Sequence, residues 1–469
     1  MKRLLAALAL LSTLGGSAAA YGDEPRVVKL AITPAARPVP ALRYRLYPAA
    51  RELRDGNAAG LYYRAILLLT TRGKPDERRA SQDRVSELMQ LPAEQFPRDE
   101  ARKLLAQYDS MLNEIDHATN RRTAQWDIPL YEDGVSTLLM EVQEVRGIAR
   151  VLALQARLAV VEEDFPQALA SIRAMLVMAH HVGESGTLVS SLVGVAIAGL
   201  AHEQIEFLST RPNSPNLYWA LTALPEPLVS APRGFESEQA WLEGSLPYLD
   251  VLEKGILSQE QAAQLTTALG ELVSQSSDGT VLNGSPWELD QSSVLVLPAL
   301  SSYAECKRQL IERGLSSERA EAMPVVQVLA LRWVQDFRDR LDEQIAFTGR
   351  PYAEVAETLA RLHQEQAETT DNPERFLSGM LLPAVNAANV AFARLAQRIA
   401  LMRVIEAVRL YAADHHGRLP AQLTDIHAVP IPNDPGTGAP FKYELKDNVG
   451  ILLPQRFVES LRFELTVAK

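Results

Sequence analysis

Residues 149–182 read ARVLALQARLAVVEEDFPQALASIRAMLVMAHHV, and the fold class turns on them. Ala149, Leu152, Ala156 and Ala159 recur at steps of three and four, and Leu138, Val142 and Val145 extend the series upstream. That spacing puts all of them on one helical face, with Glu141, Glu144, Arg146 and Arg150 off it. Asp164-Phe165-Pro166 breaks the helix, since proline is tolerated only in a first turn. The period then restarts with Leu169, Ile172, Leu176 and Ala179. Two helices joined by so short a turn fold back on one another as an antiparallel hairpin.

Working outward, Ser185 to Ala201 (SGTLVSSLVGVAIAGLA) carries no charge. Its length is at the bottom of the membrane-spanning range, acidic residues crowd its ends (Glu184, Glu203, Glu206), and no Trp or Tyr belt flanks it. A helix buried in the protein is expected, with Ser190, Gly194 and Ala198 allowing close contact, and no stable membrane span. Gly183-Glu184-Ser185-Gly186-Thr187 misses the Gly-x-Ser-x-Gly nucleophile elbow by its last residue. It reads as a helix break with Ser185 or Thr187 as the next N-cap.

The expected fold is mainly α, an array of antiparallel helical hairpins with a small α+β C-terminal domain. Residues 21–48 read as an extended segment that opens with a strand candidate at 27–32, and residues 49–273 as the helical array. The proline-rich stretch 209–236 interrupts that array, and Ser274 to Pro286 ends it. Residues 287–372 form a second, highly charged helical region that includes Arg332-Trp333-Val334-Gln335-Asp336-Phe337-Arg338. Residues 373–469 begin with a long helix whose apolar face carries Val385, Ala388, Phe392, Leu395, Ile399 and Met402. Gly417 stops that helix, and 441–445, 449–453 and 461–467 follow as strands. A strand without a partner is an exposed edge, so the segment 27–32 is expected to join the C-terminal strands.

The 469 residues are 47% hydrophobic and 22% charged, enough apolar surface for a packed core, which excludes a largely disordered chain. The net charge of -11 disfavours a phosphate backbone as partner, so no nucleic-acid binding is expected. Lys2 and Arg3, the apolar run Leu4 to Leu14 and Ala18-Ala19-Ala20 have the three-part pattern of a signal peptide over residues 1–20. A periplasmic or secreted protein beginning at Tyr21 is therefore expected. The only cysteine, Cys306, rules out an intramolecular disulfide and reads as a small packing residue.

Two resemblances follow from particular residues. Ala156, Asp164-Phe165 and Ala168-Leu169 make the hairpin 149–182 similar to a tetratricopeptide unit, departing from it at Gln155 and Met175, with no second copy downstream. The segment Leu410-Tyr411-Ala412-Ala413-Asp414-His415-His416-Gly417-Arg418-Leu419-Pro420, followed by Asn433-Asp434-Pro435-Gly436, resembles the helix, turn and Asp-Pro loop of type II secretion pseudopilins. It is also similar to the ends of exported proteins of planctomycete bacteria, as is the stretch Asn57 to Ala65. The pseudopilin resemblance implies a secretion-system component and a calcium site drawing on Asp434 and Asp447. Against filament assembly, the corresponding helix is interior and studded with Arg394, Arg398, Arg403 and Arg409. The Asp434 carboxylate reads as the acceptor of a tight turn.

Candidate chemistry is sparse. His202-Glu203-Gln204-Ile205-Glu206 nearly matches the zinc-protease helix but puts Glu206 at the second ligand position; His180, His181 and Glu184 are the other candidates near it. His415, His416, Asp425 and His427 form a second cluster in sequence. No phosphate-binding glycine loop is present. No residue is therefore assigned as catalytic, cofactor-binding or metal-ligating, and no cofactor is expected. The reading is an exported helical scaffold or binding protein whose partner is another exported or envelope protein. A hydrolase built around His180, His181, His202 and Glu206, or a secretion-system component, are the alternatives.

Overall fold

The computed structural model describes residues 26–126, 140–230, 234–236, 242, 244, 246–276, 296–368, 372–454 and 461–468. The chain is mainly helical with a small C-terminal sheet, as the periodicity requires. In order, it forms β1 (Arg26–Ile32), β2 (Arg54–Asn57), α1 (Ala59–Thr70), α2 (Pro75–Gln90), α3 (Arg98–Ala106), α4 (Asp109–Thr119) and β3 (Arg121–Thr123). Three long helices follow: α5 (Met140–Val161), α6 (Phe165–Gly183) and α7 (Leu188–Ser209). After α8 (Tyr218–Thr222) come α9 (Leu249–Lys254), α10 (Gln259–Ser276), α11 (Val296–Glu312), α12 (Ser317–Ala322), α13 (Val325–Phe347) and α14 (Tyr352–Glu368). The helix α15 (Phe376–Asp414) leads into β4 (Lys442–Lys446), β5 (Val449–Leu453) and β6 (Leu461–Val467).

The stripe read from the sequence is buried from Val145 onward through Ala149, Leu152, Ala156 and Ala159; Leu138 lies outside the described residues. Asp164 caps α6 by accepting from the Gln167 N–H, and Ser171 donates to Gln155 across the turn at 2.9 Å. Thr187 is the N-cap of α7, its hydroxyl accepting from the Ser190 N–H at 3.0 Å. The apolar run is a core helix: α7 and α15 are long and apolar enough to cross a membrane, yet 78% of the apolar window of α7 is buried inside the protein. The small-residue face works as read. A Cβ on Gly194 would lie 2.6 Å from the Ala179 carbonyl oxygen, so α6 and α7 approach to backbone contact only because none is there.

The region 49–273 departs from an all-helical reading at β2 and β3, a short parallel pair separated by α1 to α4. No β-rich composition announces it. Backbone bonds join the pair, from the Arg54 N–H to the Asn120 carbonyl and from the Ala58 N–H to the Thr123 carbonyl, both at 2.8 Å. Asn57 extends them, its Oδ1 accepting from the Gln125 N–H at 2.8 Å and its Nδ2 donating to the Gln125 carbonyl at 2.8 Å, and Gly56 takes the left-handed φ of +121°.

The chain ends meet as expected. The sheet order is β1-β6-β5-β4, with β1 parallel to β6 from Arg26 opposite Leu461 to Ile32 opposite Val467. Leu461, Phe463 and Leu465 alternate on its buried face and Leu30, Ile32 and Leu452 join them. The β4–β5 hairpin turns on Asp447 and Asn448, both left-handed as a two-residue turn demands. Gly417 ends α15 at φ +78°, its N–H reaching back to the Ala412 carbonyl at 2.8 Å.

A buried ion pair fastens these parts. Arg409 and Glu406, one turn apart on α15, are 0% and 1% exposed and lie 2.8 Å apart. Arg409 also donates to the carbonyls of Thr33, Ser214 and Pro215 and to the Ser214 hydroxyl. Glu406 accepts from the Leu217 N–H at 2.9 Å. The three guanidinium nitrogens of Arg409 and the Oε2 of Glu406 are thereby bonded to chain segments remote in sequence.

The Gly194 contact sets a test. Gly194→Ala drives a methyl group into a backbone oxygen and should destabilise the protein by roughly 1–3 kcal/mol in chemical denaturation. Gly60→Ala, where a Cβ would meet nothing within 4 Å, should leave stability unchanged or raise it.

Candidate functional site

Among the described residues, the histidines singled out by the sequence do not assemble into a group that could hold a metal ion. His181 is 3% exposed, and its Nδ1 accepts from the Tyr62 hydroxyl at 3.0 Å. Tyr62 stacks on Trp126, whose indole N–H donates to the His181 carbonyl at 2.9 Å. Burial, with neighbouring His180 adding to it, pushes the His181 pKa down to about 4. The His180 ring, 6.1 Å from that of His181, donates from Nδ1 to the Leu228 carbonyl at 2.9 Å and meets Tyr47 edge-on. Burial first, then the charge of Glu184, pushes the Tyr47 hydroxyl up to about 12.

His202 is fully buried and donates from Nδ1 to the Ala198 carbonyl at 2.7 Å, one turn back on α7. Desolvation pushes its pKa down to about 4. In the second cluster, His415 stacks on Tyr411 at 3.7 Å and Asp425 accepts from the Gln422 N–H at 3.0 Å, so these two serve local structure. Asp434 is the turn acceptor that its sequence predicts: buried, it takes the Gly436 N–H at 2.8 Å. Among the described residues, no group of three His, Cys, Asp or Glu side chains is placed to hold a metal ion. Cys306 is buried, and desolvation pushes its thiol up to about 11, the state of an inert packing group.

What the fold does build is a groove of about 290 Å³ against the middle of α15. One wall is the helix itself, presenting Phe392, Leu395, Ala396, Ile399 and Arg403. The second is the loop 221–229 with Pro225 and Pro227, the third the turn 432–435. The loop and the turn are anchored from behind. His180 holds the Leu228 carbonyl, and Val229 packs so tightly on Gly183 that a Cβ there would meet it at 2.6 Å. Asp434 accepts from the Gln397 side-chain amide at 2.6 Å, fastening the turn to α15.

Arg403 is the cation among these apolar walls. Its guanidinium lies 5.6 Å from the Tyr218 ring centroid, its Nη2 is 3.5 Å from the Tyr218 hydroxyl, and its buried Nε has no hydrogen-bond partner among the described residues. The Tyr218 hydroxyl is itself committed, donating to the Pro430 carbonyl. The sequence reading missed this site. Its signal was an arginine in register with Phe392, Leu395 and Ile399 on an otherwise apolar stripe. Comparison with known proteins finds no match: no family model, no curated protein and no solved structure aligns with the chain.

The two buried rings fix an acid response. Both are neutral in the folded protein, with pKa values near 4, whereas the unfolded chain takes up protons near 6.5. Their contribution is therefore complete above pH 6.5 and is lost as pH falls from 6.5 towards 4, by roughly 1.4 kcal/mol per pH unit for each ring. Chemical denaturation at pH 7.5, 6 and 5 should show that slope, and His202→Leu should remove about half of it. A stability independent of pH over that range would contradict the assignment.

Proposed function

We propose that this chain is an exported helical scaffold or binding protein, and that it binds through the groove on α15. The observation that supports this reading is the groove itself, a preformed concave apolar site whose loop and turn walls are fixed by polar contacts behind them. Such preorganisation lowers the ordering cost of binding. The paired helices α5 and α6, which resemble a tetratricopeptide unit, belong to the same reading: an array of helical hairpins serving as the rigid body that presents the site. Export rests on the signal-peptide pattern of residues 1–20, and a partner in the same compartment, another exported or envelope protein, goes with it. The pseudopilin-like turn at Asp434 has a role here that needs no filament, since it forms one wall of the groove.

The neutral, apolar dye Nile Red tests the site without presuming a charge. Its emission should rise saturably on titration with the protein. Ala396→Trp, which fills the groove from an exposed position on α15, should weaken that binding at least tenfold. Equal binding to both proteins would contradict the groove as the binding site.

A further inference from the structure

The geometry points to a small monocarboxylic acid with an apolar body as the occupant of the groove, its carboxylate held by Arg403. This rests on the groove being the binding site and adds the chemistry of what it binds. The volume of about 290 Å³ is at the small end for ligand pockets and suits a compact molecule. Leu221, Leu224, Phe392, Leu395 and Ile399 supply an apolar lining that a hydrocarbon chain or ring would cover.

Arg403 supplies the charge. Among the described residues it forms no ion pair, and the one polar contact of its guanidinium is the long one to Tyr218. Lying over the Tyr218 ring holds the guanidinium plane without using up its N–H groups. A carboxylate is the complementary partner, because its two oxygens match the parallel N–H bonds of the guanidinium fork. Glu226 also lines the groove, from the exposed loop. It leaves the site without a net positive charge and would repel a second anionic group, which favours a monoanion over a dianion or a phosphate ester.

Calorimetric titration of the full chain with octanoate and with 1-octanol, its uncharged counterpart, tests this. Octanoate should bind at least tenfold more tightly than octanol. Arg403→Met, which keeps the apolar stem, should erase that difference while leaving octanol binding in place. Arg403→Lys keeps charge and stem but loses the fork; it should bind octanoate at least threefold more weakly, and covers the case in which the methionine variant does not fold. Equal affinity for both probes, or octanoate binding unchanged in the Arg403 variants, would overturn the carboxylate assignment and leave the groove reading standing. Failure of both probes in a protein that still binds Nile Red would overturn the ligand class alone. Failure of Nile Red as well would overturn the groove reading beneath it. An acetylated tripeptide acid ending in leucine that binds more tightly than octanoate would overturn the choice of a free acid as the source of the carboxylate.

Discussion

A charged pair removed from water is costly unless its polar atoms find partners, and the Arg409–Glu406 pair finds them in two separate stretches of chain, at Thr33 and at residues 214–217. Arg409 takes the Thr33 carbonyl just past β1 and the Ser214 and Pro215 carbonyls in the loop after α7; Glu406 takes the Leu217 N–H. The backbone reinforces it, with the Thr33 N–H donating to the Ser209 carbonyl at 3.0 Å and the Ala35 N–H to the Arg409 carbonyl at 3.2 Å. The end of β1, the end of α7 and the start of α8 are thus all referred to one turn of α15. Removing one partner would strand the other in the interior, at a cost of about 3–5 kcal/mol.

The groove inherits its shape from that junction. Leu217 leads into α8, whose Tyr218 carries the ring under Arg403, and α8 opens directly into the loop 221–229 that forms the second wall. A further buried network does for the start of α15 what Arg409 does near its end. Asp336 on α13 accepts from Ser378 at 2.5 Å, from Arg340 at 3.1 Å and from Arg332 at 3.3 Å, while Trp333 donates to the Pro373 carbonyl at 2.8 Å. With 39 residues, α15 runs about 58 Å at 1.5 Å per residue, and these two clusters tie it to the helices around it.

Features that depend on period and on local turn chemistry were legible in the sequence: the helices around Ala156 and Ile172, the Thr187 cap, the Gly417 stop, the Asp434 turn and the pairing of the chain ends. Features that depend on which charges turn inward were not. Arg332 and Asp336 sit in a segment whose composition reads as a solvated surface, yet they are 7% and 5% exposed. Arg409 was read as one of four arginines studding a helix and is completely buried. A helix pattern records spacing but not the partner's carbonyls, which here come from Thr33, Ser214 and Pro215, the first of these lying some 376 residues away in sequence. The candidate histidines failed for the same reason. Their nearness in sequence spoke of a site, but their hydrogen bonds run to different backbone carbonyls and to Tyr62. The β2–β3 pair is short and is extended by the Asn57 side chain bonding the backbone of Gln125, which no propensity scale registers.

The central claim is that Arg409 holds the end of β1 and the start of α8 to a single turn of α15. Native-state hydrogen exchange on Arg409→Met measures this most directly, followed at the amides of Thr33, Ala35 and Leu217. If the pair is the common fastening, all three lose protection together and by the same factor, while amides within α5 and α6 keep theirs. Loss at only one of the segments, or protection unchanged at all three, would contradict the account.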